Sequence, residues 1–202
     1  YNEVVYLGID LAQTKSKSYI NRSLKDIKKY QGEVWVIYAG TLGSNYDIKT
    51  IIDCARKIEK SKLKLKIFIA GEGVLRPFLV ESIKTHKLRN LVYIGRLDIK
   101  DLTLFYHKCD MALSSYVESS TVSMPVKAFD YLAAGLPLIN SLKRELGEIV
   151  VKYEVGLQYQ PENADDMFRA IKQLSKDKVG LQRMKENSSE LARSFDKNLQ
   201  YD

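Results

Sequence analysis

The segment VSMPVKAFDYLAAGLPLIN, residues 122–140, combines residue types that could bind an anion at the start of a helix. Ser123 is a favourable N-cap residue, Pro125 suits the first turn, and Gly135 predicts that the helix ends immediately before it. Lys127 then lies in the first turn, where the helix dipole already places positive charge. A lysine at this unfavourable position predicts that something anionic binds beside it.

Lys127 and Asp130 are three residues apart, so they are neighbours on one face of the predicted helix. One interpretation is an ion pair between them, but that pair would have the weaker, lysine-first order and would oppose the helix dipole. We favour the other interpretation, in which Lys127, with Ser123 at the N-cap, binds a diphosphate beside the helix N–H groups. Asp130 would then accept hydrogen bonds from neighbouring hydroxyl groups, as on a ribose.

Alternating strands and helices must position this segment. Apolar runs rich in β-branched residues predict six strands, and amphipathic patterns between and after them predict helices. The predicted strands, with their glycine turns, cover residues 33–40, 65–73, 91–96, 110–115, 136–140 and 156–159, and the predicted helices cover 47–60, 74–86, 100–109, 124–134, 145–153, 163–176 and 178–196. This order is typical of a doubly wound, Rossmann-like α/β domain, a parallel sheet with helices on both faces.

The loop after the first strand, GTLGSNY at residues 40–46, could bind a phosphate. Ligands of such sheets bind beyond the carboxyl ends of the strands, and the N–H groups around Gly40, Thr41 and Gly43 could approach a phosphate closely. The loop is neither G-x-G-x-x-G nor a P-loop, so it indicates neither a nicotinamide cofactor nor nucleotide hydrolysis. The alternative is a tight turn that needs its glycines for backbone geometry alone, and the GEG sequence at 71–73 leaves the same choice open.

Two further loops carry charged residues that could contact a ligand. Arg96, in GRLD at residues 95–98, could bind an anion or pair with Asp98 or Glu118. The loop that leads into the helix capped by Ser123 is long and polar for a connection of this kind, and such loops often bind ligands. Glu118 is its candidate acidic group.

Composition limits the other classes of protein to which the chain could belong. The chain has 202 residues, a net charge of +7 and two cysteines, Cys54 and Cys109, which fall in apolar helical patterns and predict buried thiols in a reducing compartment. No apolar run approaches the roughly 20 residues of a membrane span. His86 and His107 have no second ligand at metal-binding spacing, so no metal site is predicted. The charge permits a nucleic acid or an anionic membrane surface, but the lysines scatter over several helices and no nucleic-acid motif occurs.

The stretch MPVKAFDYLAAGLPLINS resembles the segment MPxKxFEYMAAGxPVVxS of retaining GT-B glycosyltransferases of family 4, the glycosyl transferases group 1. Four further pieces occur in the order expected of that family: YAGTLGSNYDIKTIIDCA, LKIFIAGEG, LVYIGRLDIKDLTLFYHKCDMALSS and VVKYEVGLQYQPENADDMFRAI. The resemblance implies a C-terminal, donor-binding domain at residues 33–202. It also implies an interdomain arm at residues 1–32, with a basic amphipathic helix at 20–31, and an N-terminal acceptor domain that this chain lacks.

The activity that the resemblance implies is transfer of a hexose, with retention, from a UDP- or GDP-linked sugar to a glycan or lipid-linked acceptor. No metal or other cofactor is expected. The family further implies surface polysaccharide synthesis in a bacterium, in the cytoplasm or at the inner face of the plasma membrane. We expect this chain alone to bind the donor weakly and to transfer nothing.

The sequence departs from the family pattern at three positions. Asp130 occupies the acidic position that binds the ribose, where the family more often has glutamate, and Val122 occupies the position, eight residues earlier, of the acid that usually contacts the sugar. Glu118 is the nearest acidic residue that could replace it. Thr41 occupies the position where the family has an arginine, and Lys127 could supply the missing positive charge. These departures leave two alternatives open: a sugar-nucleotide epimerase of the same architecture, and a degenerate module that binds a nucleotide sugar or a partner protein without catalysis.

Overall fold

The structure, a computed structural model, describes Leu24 and residues 27–61 and 63–195. These residues form six strands and seven helices in the predicted alternation. The strands are β1 (Val34–Ala39), β2 (Leu65–Ala70), β3 (Leu91–Gly95), β4 (Met111–Ser114), β5 (Leu138–Asn140) and β6 (Gly156–Gln158). The helices are α1 (Ile48–Lys60), α2 (Arg76–Thr85), α3 (Ile99–Tyr106), α4 (Val126–Ala133), α5 (Glu145–Lys152), α6 (Ala164–Lys176) and α7 (Lys178–Ser194).

All strand pairs in the sheet are parallel, and the spatial order is β3-β2-β1-β4-β5-β6. The chain therefore builds outward from β1 in one direction and then returns to the other side of β1 with β4, where Val36 pairs with Met111. In open α/β sheets, ligands bind at the carboxyl ends of the strands where the order reverses in this way. The loops after β1 and β4 meet at this reversal.

The apolar runs of the strands are buried on both faces of the sheet, as a doubly wound domain requires. Buried residues of α1, α2 and α6 cover one face, and buried residues of α3, α4, α5 and α7 cover the other. Alternate residues of β1 point to the two faces, Trp35 and Ile37 to one and Val36 and Tyr38 to the other. The predicted Rossmann-like class is thus confirmed.

The start of α4 corrects one prediction. Pro125, not Ser123, is the N-cap residue, with φ −78° and ψ 138°, and it makes no side-chain capping bond. Ser123 faces α5 instead: its carbonyl accepts a hydrogen bond from the Leu146 amide at 3.2 Å. The prediction that Ser123 caps this helix is wrong because the fixed φ of proline already supplies the extended backbone of an N-cap. Gly135 ends the helix as predicted, with φ +69°.

The predicted arm at residues 1–32 lies outside the described residues, apart from Leu24 and residues 27–32. Leu24 is buried, and Ile27 packs against the same core. Residues 27–32 are not helical, so the predicted amphipathic helix at 20–31 does not extend through Ile27. The structure supplies no test of the predicted division into arm and domain.

Candidate functional site

The glycine loops after β1 and β2 interlock at the carboxyl edge of the sheet. The Gly40 amide donates to the Ala70 carbonyl at 2.9 Å, and the Leu42 amide donates to the Glu72 carbonyl at 2.8 Å. A Cβ atom added to Gly71, which has φ +147°, would lie 1.8 Å from the Gly40 carbonyl oxygen. The absence of a side chain at Gly71 is therefore required for the backbones to approach, whatever else the loops do.

A cavity of about 390 Å³ opens over these loops. Arg96 reaches it from the loop after β3 and is exposed, with no ion pair to any described residue. The alternative that Arg96 pairs with Asp98 or Glu118 is therefore not seen. The residues that line the cavity come from the ends of β1, β2 and β3 and the start of α3: Ala39, Gly40, Thr41, Ala70, Gly71, Glu72, Arg96, Leu97 and Leu102.

Lys127 reaches this edge of the sheet from the first turn of α4. Its side chain passes directly behind Gly40, where an added Cβ atom would lie 3.5 Å from Lys127 Nζ and 3.7 Å from Lys127 Cδ. The Nζ atom is buried and has no hydrogen-bond partner among the residues described. Within the same part of the chain, Lys127 forms no ion pair with Asp130, in agreement with the preference stated from the sequence. A buried ammonium group without an anion is costly unless a ligand supplies the opposite charge.

Three tyrosine rings surround the Lys127 ammonium group. The distances from Nζ to the ring centroids are 4.4 Å for Tyr38, 4.5 Å for Tyr46 and 4.7 Å for Tyr116. These three rings, called the tyrosine cage below, come from β1, from the loop after β1 and from the residues after β4. They were not predicted from the sequence, although aromatic residues that follow two strands of a doubly wound sheet are a signal that could have identified them.

Burial governs the titration of this group. It lowers the pKa of Lys127 from 10.5 to about 7, because the charged form loses its hydration. Burial also raises the pKa values of Tyr38 and Tyr116 above their ordinary value, so both phenols are neutral at physiological pH. The lysine therefore lies close to its midpoint of protonation at neutral pH, and a bound anion would favour its charged form.

Asp130 follows Lys127 by one turn of α4 but does not line the cavity behind which Lys127 lies. Its side chain is exposed, and partial desolvation raises its pKa. Val122, at the family's other acidic position, is half-buried and packs against the core. The ribose contact predicted for Asp130 remains a prediction.

Glu118 is exposed in the loop after β4, and its carboxylate pairs with Lys143 at 2.7 Å. Lys143 lines a different cavity, of about 690 Å³, beyond the ends of β5 and β6. The structure therefore brings Gly40, Thr41 and Arg96 together with Lys127 but leaves Glu118 outside that group. Gly43 also lies outside the cavity lining, next to the Thr41 methyl group.

The loop after β4 is fastened to the start of α5. The Arg144 guanidinium donates to the Thr121 carbonyl at 3.2 Å, and the Ser123 hydroxyl lies 3.5 Å from the Glu145 carboxylate. Glu145 is half-buried in the first turn of α5, where the helix dipole favours negative charge. This carboxylate was not singled out from the sequence, because its proximity to Ser123 depends on how α5 packs.

The described residues also bear on the expectations about metal ligands, thiols and membrane spans. No group of three His, Cys, Asp or Glu side chains is arranged to hold a metal ion in this part of the chain. His86 and His107 are exposed at the ends of α2 and α3, and both predicted thiols, Cys54 and Cys109, are buried and free. Among the helices described, none is long and apolar enough to cross a membrane.

The family described as glycosyl transferases group 1 matches residues 20–191. The chain belongs to this family. It is 27% identical over 154 residues to the glycogen synthase of Mycobacterium tuberculosis (strain CDC 1551 / Oshkosh), an alignment that covers 75% of this chain and 36% of that enzyme. The chain therefore spans about a third of that relative.

Solved structures share the fold. The C-terminal domain of the glycosyl transferase group 1 family protein LpcC from Francisella tularensis superposes with a TM-score of 0.74 at 18% identity, over 93% of this chain and 97% of that one. Anabaena Alr3699/HepE, solved in complex with UDP, superposes with a TM-score of 0.77 at 16% identity, over 96% of this chain and 53% of that one. This group 1 glycosyltransferase chain thus has the Rossmann-like architecture of its GT-B neighbours.

Proposed function

We propose that this chain is the donor-binding domain of an enzyme that transfers a hexose from a UDP- or GDP-linked sugar to a glycan or lipid-linked acceptor with retention. The observation that carries the proposal is the buried Lys127 ammonium group, which lies behind Gly40 without an anionic partner in the described chain. A diphosphate would supply the missing negative charge. The UDP bound to the HepE neighbour supports a nucleotide of this kind.

The positive charge at this edge of the sheet suits the chemistry of the leaving group. When the bond between sugar and diphosphate breaks, negative charge develops on the diphosphate oxygens. Lys127, the exposed guanidinium of Arg96 and the Thr41 amide would stabilise that charge because they are in place before the reaction begins, whereas the Gly40 amide already donates to Ala70. The α4 N-terminus, which has no side-chain cap, adds a partial positive charge beside Lys127.

The remaining predicted contacts belong to the proposal as well. Asp130 would accept hydrogen bonds from the ribose, and Gly43 and Ser123 would line the entrance to the donor site. Glu118 would contact the transferred sugar only after releasing Lys143, since the two side chains form an exposed ion pair at 2.7 Å. Such a pair contributes little, on the order of 0–1 kcal/mol, so its release is inexpensive.

The reaction also requires an acceptor site, which we assign to an N-terminal domain of the same protein. We expect no metal or other cofactor, a role in bacterial surface polysaccharide synthesis and a location in the cytoplasm or at the inner face of the plasma membrane. These expectations come from the family resemblance. The chain alone should transfer nothing, and turnover of a UDP-sugar by the isolated chain would contradict this part of the proposal.

Calorimetric titration of the chain with UDP, GDP, UMP and uridine tests the donor site. We expect the diphosphates to bind more tightly than UMP, uridine to bind least, and Lys127→Ala to abolish the preference for diphosphates. Equal affinity of Lys127→Ala and the wild-type chain for UDP would exclude Lys127 from the site. Absence of UDP binding by the folded wild-type chain would contradict a donor site formed by this domain alone.

A second candidate, a module that binds a nucleotide sugar without transferring it, is favoured by the positions of Val122 and Glu118. Val122 packs against the core where the family usually has an acid, and Glu118 is paired with Lys143. In the full-length protein, Glu118→Ala separates the two candidates. Loss of transfer with retained UDP binding supports the enzyme, whereas absence of transfer in the unaltered full-length protein supports the binding module.

A further inference from the structure

The tyrosine cage surrounds the Lys127 ammonium group with ring faces instead of acceptor atoms. All three centroid distances, 4.4 to 4.7 Å, lie within the range of about 6 Å over which a cation is attracted to an aromatic ring. The Nζ atom has no hydrogen bond to any described residue, and the three rings contact it instead. Cation–π attraction is strongest for a cation shielded from water, as this one is.

The cage is ordered by contacts of its own. The rings of Tyr46 and Tyr116 lie 5.1 Å apart, and the rings of Tyr38 and Tyr46 meet edge to face at 6.2 Å. The backbones of Tyr46 and Tyr116 pair in an isolated antiparallel bridge, and the Tyr38 hydroxyl donates to the Thr41 carbonyl at 2.7 Å. The cage thus joins the loop after β1 to the loop after β4, at the reversal of strand order.

We propose that Tyr46 and Tyr116 are positioning residues that act through Lys127 to orient its ammonium group toward the donor diphosphate. This inference rests on the proposed function, since it names what prepares the lysine for that ligand. A carboxylate could hold the lysine equally firmly, but it would neutralise the charge that the diphosphate needs. Ring faces hold the ammonium group and leave its charge uncompensated, and a side chain that is ordered before binding loses less entropy when the ligand arrives.

The groups around Lys127 affect its pKa, so the proposal can be tested by the pH dependence of ligand affinity. Facing Nζ from other elements are the phenols of Tyr38, Tyr46 and Tyr116, while Asp130 and Tyr131 lie on its own helix. Burial lowers the pKa of Lys127 to about 7, and the rings oppose this effect because they favour the charged form. Removal of a ring without exposure of the site should therefore lower that pKa further.

The test is calorimetric titration with UDP and with inorganic pyrophosphate between pH 6.5 and 9.5. Tyr46→Leu and Tyr116→Leu remove a ring and keep an apolar side chain, whereas Tyr46→Phe and Tyr116→Phe keep the ring. We expect each leucine variant to bind about tenfold more weakly at pH 7, and each phenylalanine variant to bind within about twofold of wild type. The decline of affinity with rising pH should begin at lower pH in the leucine variants only.

Two results would overturn the inference. The first is that the leucine variants bind UDP with wild-type affinity or more tightly. Tighter binding would mean that the tyrosine cage keeps the lysine away from the ligand. The other is weaker binding with an unshifted pH profile, which a merely structural role would give. Tyr46 is half-buried, so Tyr46→Leu remains informative if Tyr116→Leu does not fold. Lys127→Met separates failure of this inference from failure of the proposed function. Undiminished UDP binding by that variant would overturn the proposed function itself.

Discussion

The two ends of the sheet differ in the partners that they offer to lysine side chains. At the amino end, the Asp110 carboxylate pairs with Lys29 and with Lys185, and it also accepts a hydrogen bond from the Trp35 amide at 2.8 Å. At the carboxyl end, the Lys127 Nζ atom is buried, contacts three tyrosine rings and has no hydrogen-bond partner in the described chain. The lysines at one end have an anionic partner, whereas no described residue balances the charge of Lys127 when its amine is protonated.

This difference separates a structural role from a binding role. The Asp110 network joins the segment before β1, the start of β4 and α7, so it fastens parts of the chain that are distant in sequence. Lys127 forms no such ion pair with a described residue, and its burial without an anion costs stability. Sites that break the ordinary rules of folding in this manner are where ligand binding is expected. Four experiments test this difference between the two ends of the sheet.

The largest effect should follow from Lys127→Met. We expect the affinity for UDP to fall about 100-fold, because a desolvated contact between an ammonium group and a diphosphate is lost. The control is Lys57→Met, an equal change of charge at a half-buried lysine that pairs with the exposed Asp165. Calorimetry should find wild-type affinity in the control, and a similar loss in both variants would mean that net charge, not this site, attracts UDP.

Asp110→Ala should lower stability without changing ligand affinity. We expect it to lower the free energy of unfolding by about 2–3 kcal/mol, since two lysines and the Trp35 amide lose their shared partner. Affinity for UDP should not change. Asp165→Ala, at an exposed ion pair, should lower the stability by about 0.5 kcal/mol or less in the same urea titrations. Equal losses in the two variants would remove the distinction between the ends of the sheet.

Stability should depend on pH through Lys127. Its pKa is about 7 in the folded chain and 10.5 ordinarily, so between these values the unfolded chain binds the extra proton. The free energy of unfolding should therefore rise with pH in this window, by about 2 kcal/mol between pH 7 and 9 from this group. Chemical unfolding of Lys127→Met should lack that rise. Parallel pH profiles in the two proteins would show that the pKa of Lys127 is ordinary.

Arg96→Met should give the smallest effect, a loss of about fivefold in UDP affinity with unchanged thermal unfolding. Arg96 is exposed and lines the cavity, but solvent weakens its attraction to a phosphate. Arg89→Met, at an exposed arginine that precedes β3 and pairs with Glu59 near the end of α1, is the matched control. A loss at Arg96 as large as that at Lys127 would assign the main diphosphate contact to the loop after β3.

Several of these features could be predicted from the sequence. The apolar runs gave the strands and their order along the chain, and the conflict between Lys127 and the helix dipole identified the lysine before any contact was known. The cap of α4 was mispredicted because Ser123 and Pro125 both carry N-terminal signals, and only packing decides between them. The tyrosine cage could not be assembled, since Tyr46 and Tyr116 meet only when β4 pairs with β1, a choice that no local pattern specifies.

The most direct test of the central claim is the number of protons taken up when UDP binds at pH 8. Calorimetry in buffers of different ionisation enthalpy measures this number, and UDP itself is fully ionised at that pH because its last phosphate pKa is about 6. Lys127 should be largely neutral before binding and charged afterwards, so we expect uptake of between about 0.5 and 1 proton by the wild-type chain and none by Lys127→Met. Equal uptake in the two proteins, or none in either, would contradict the account.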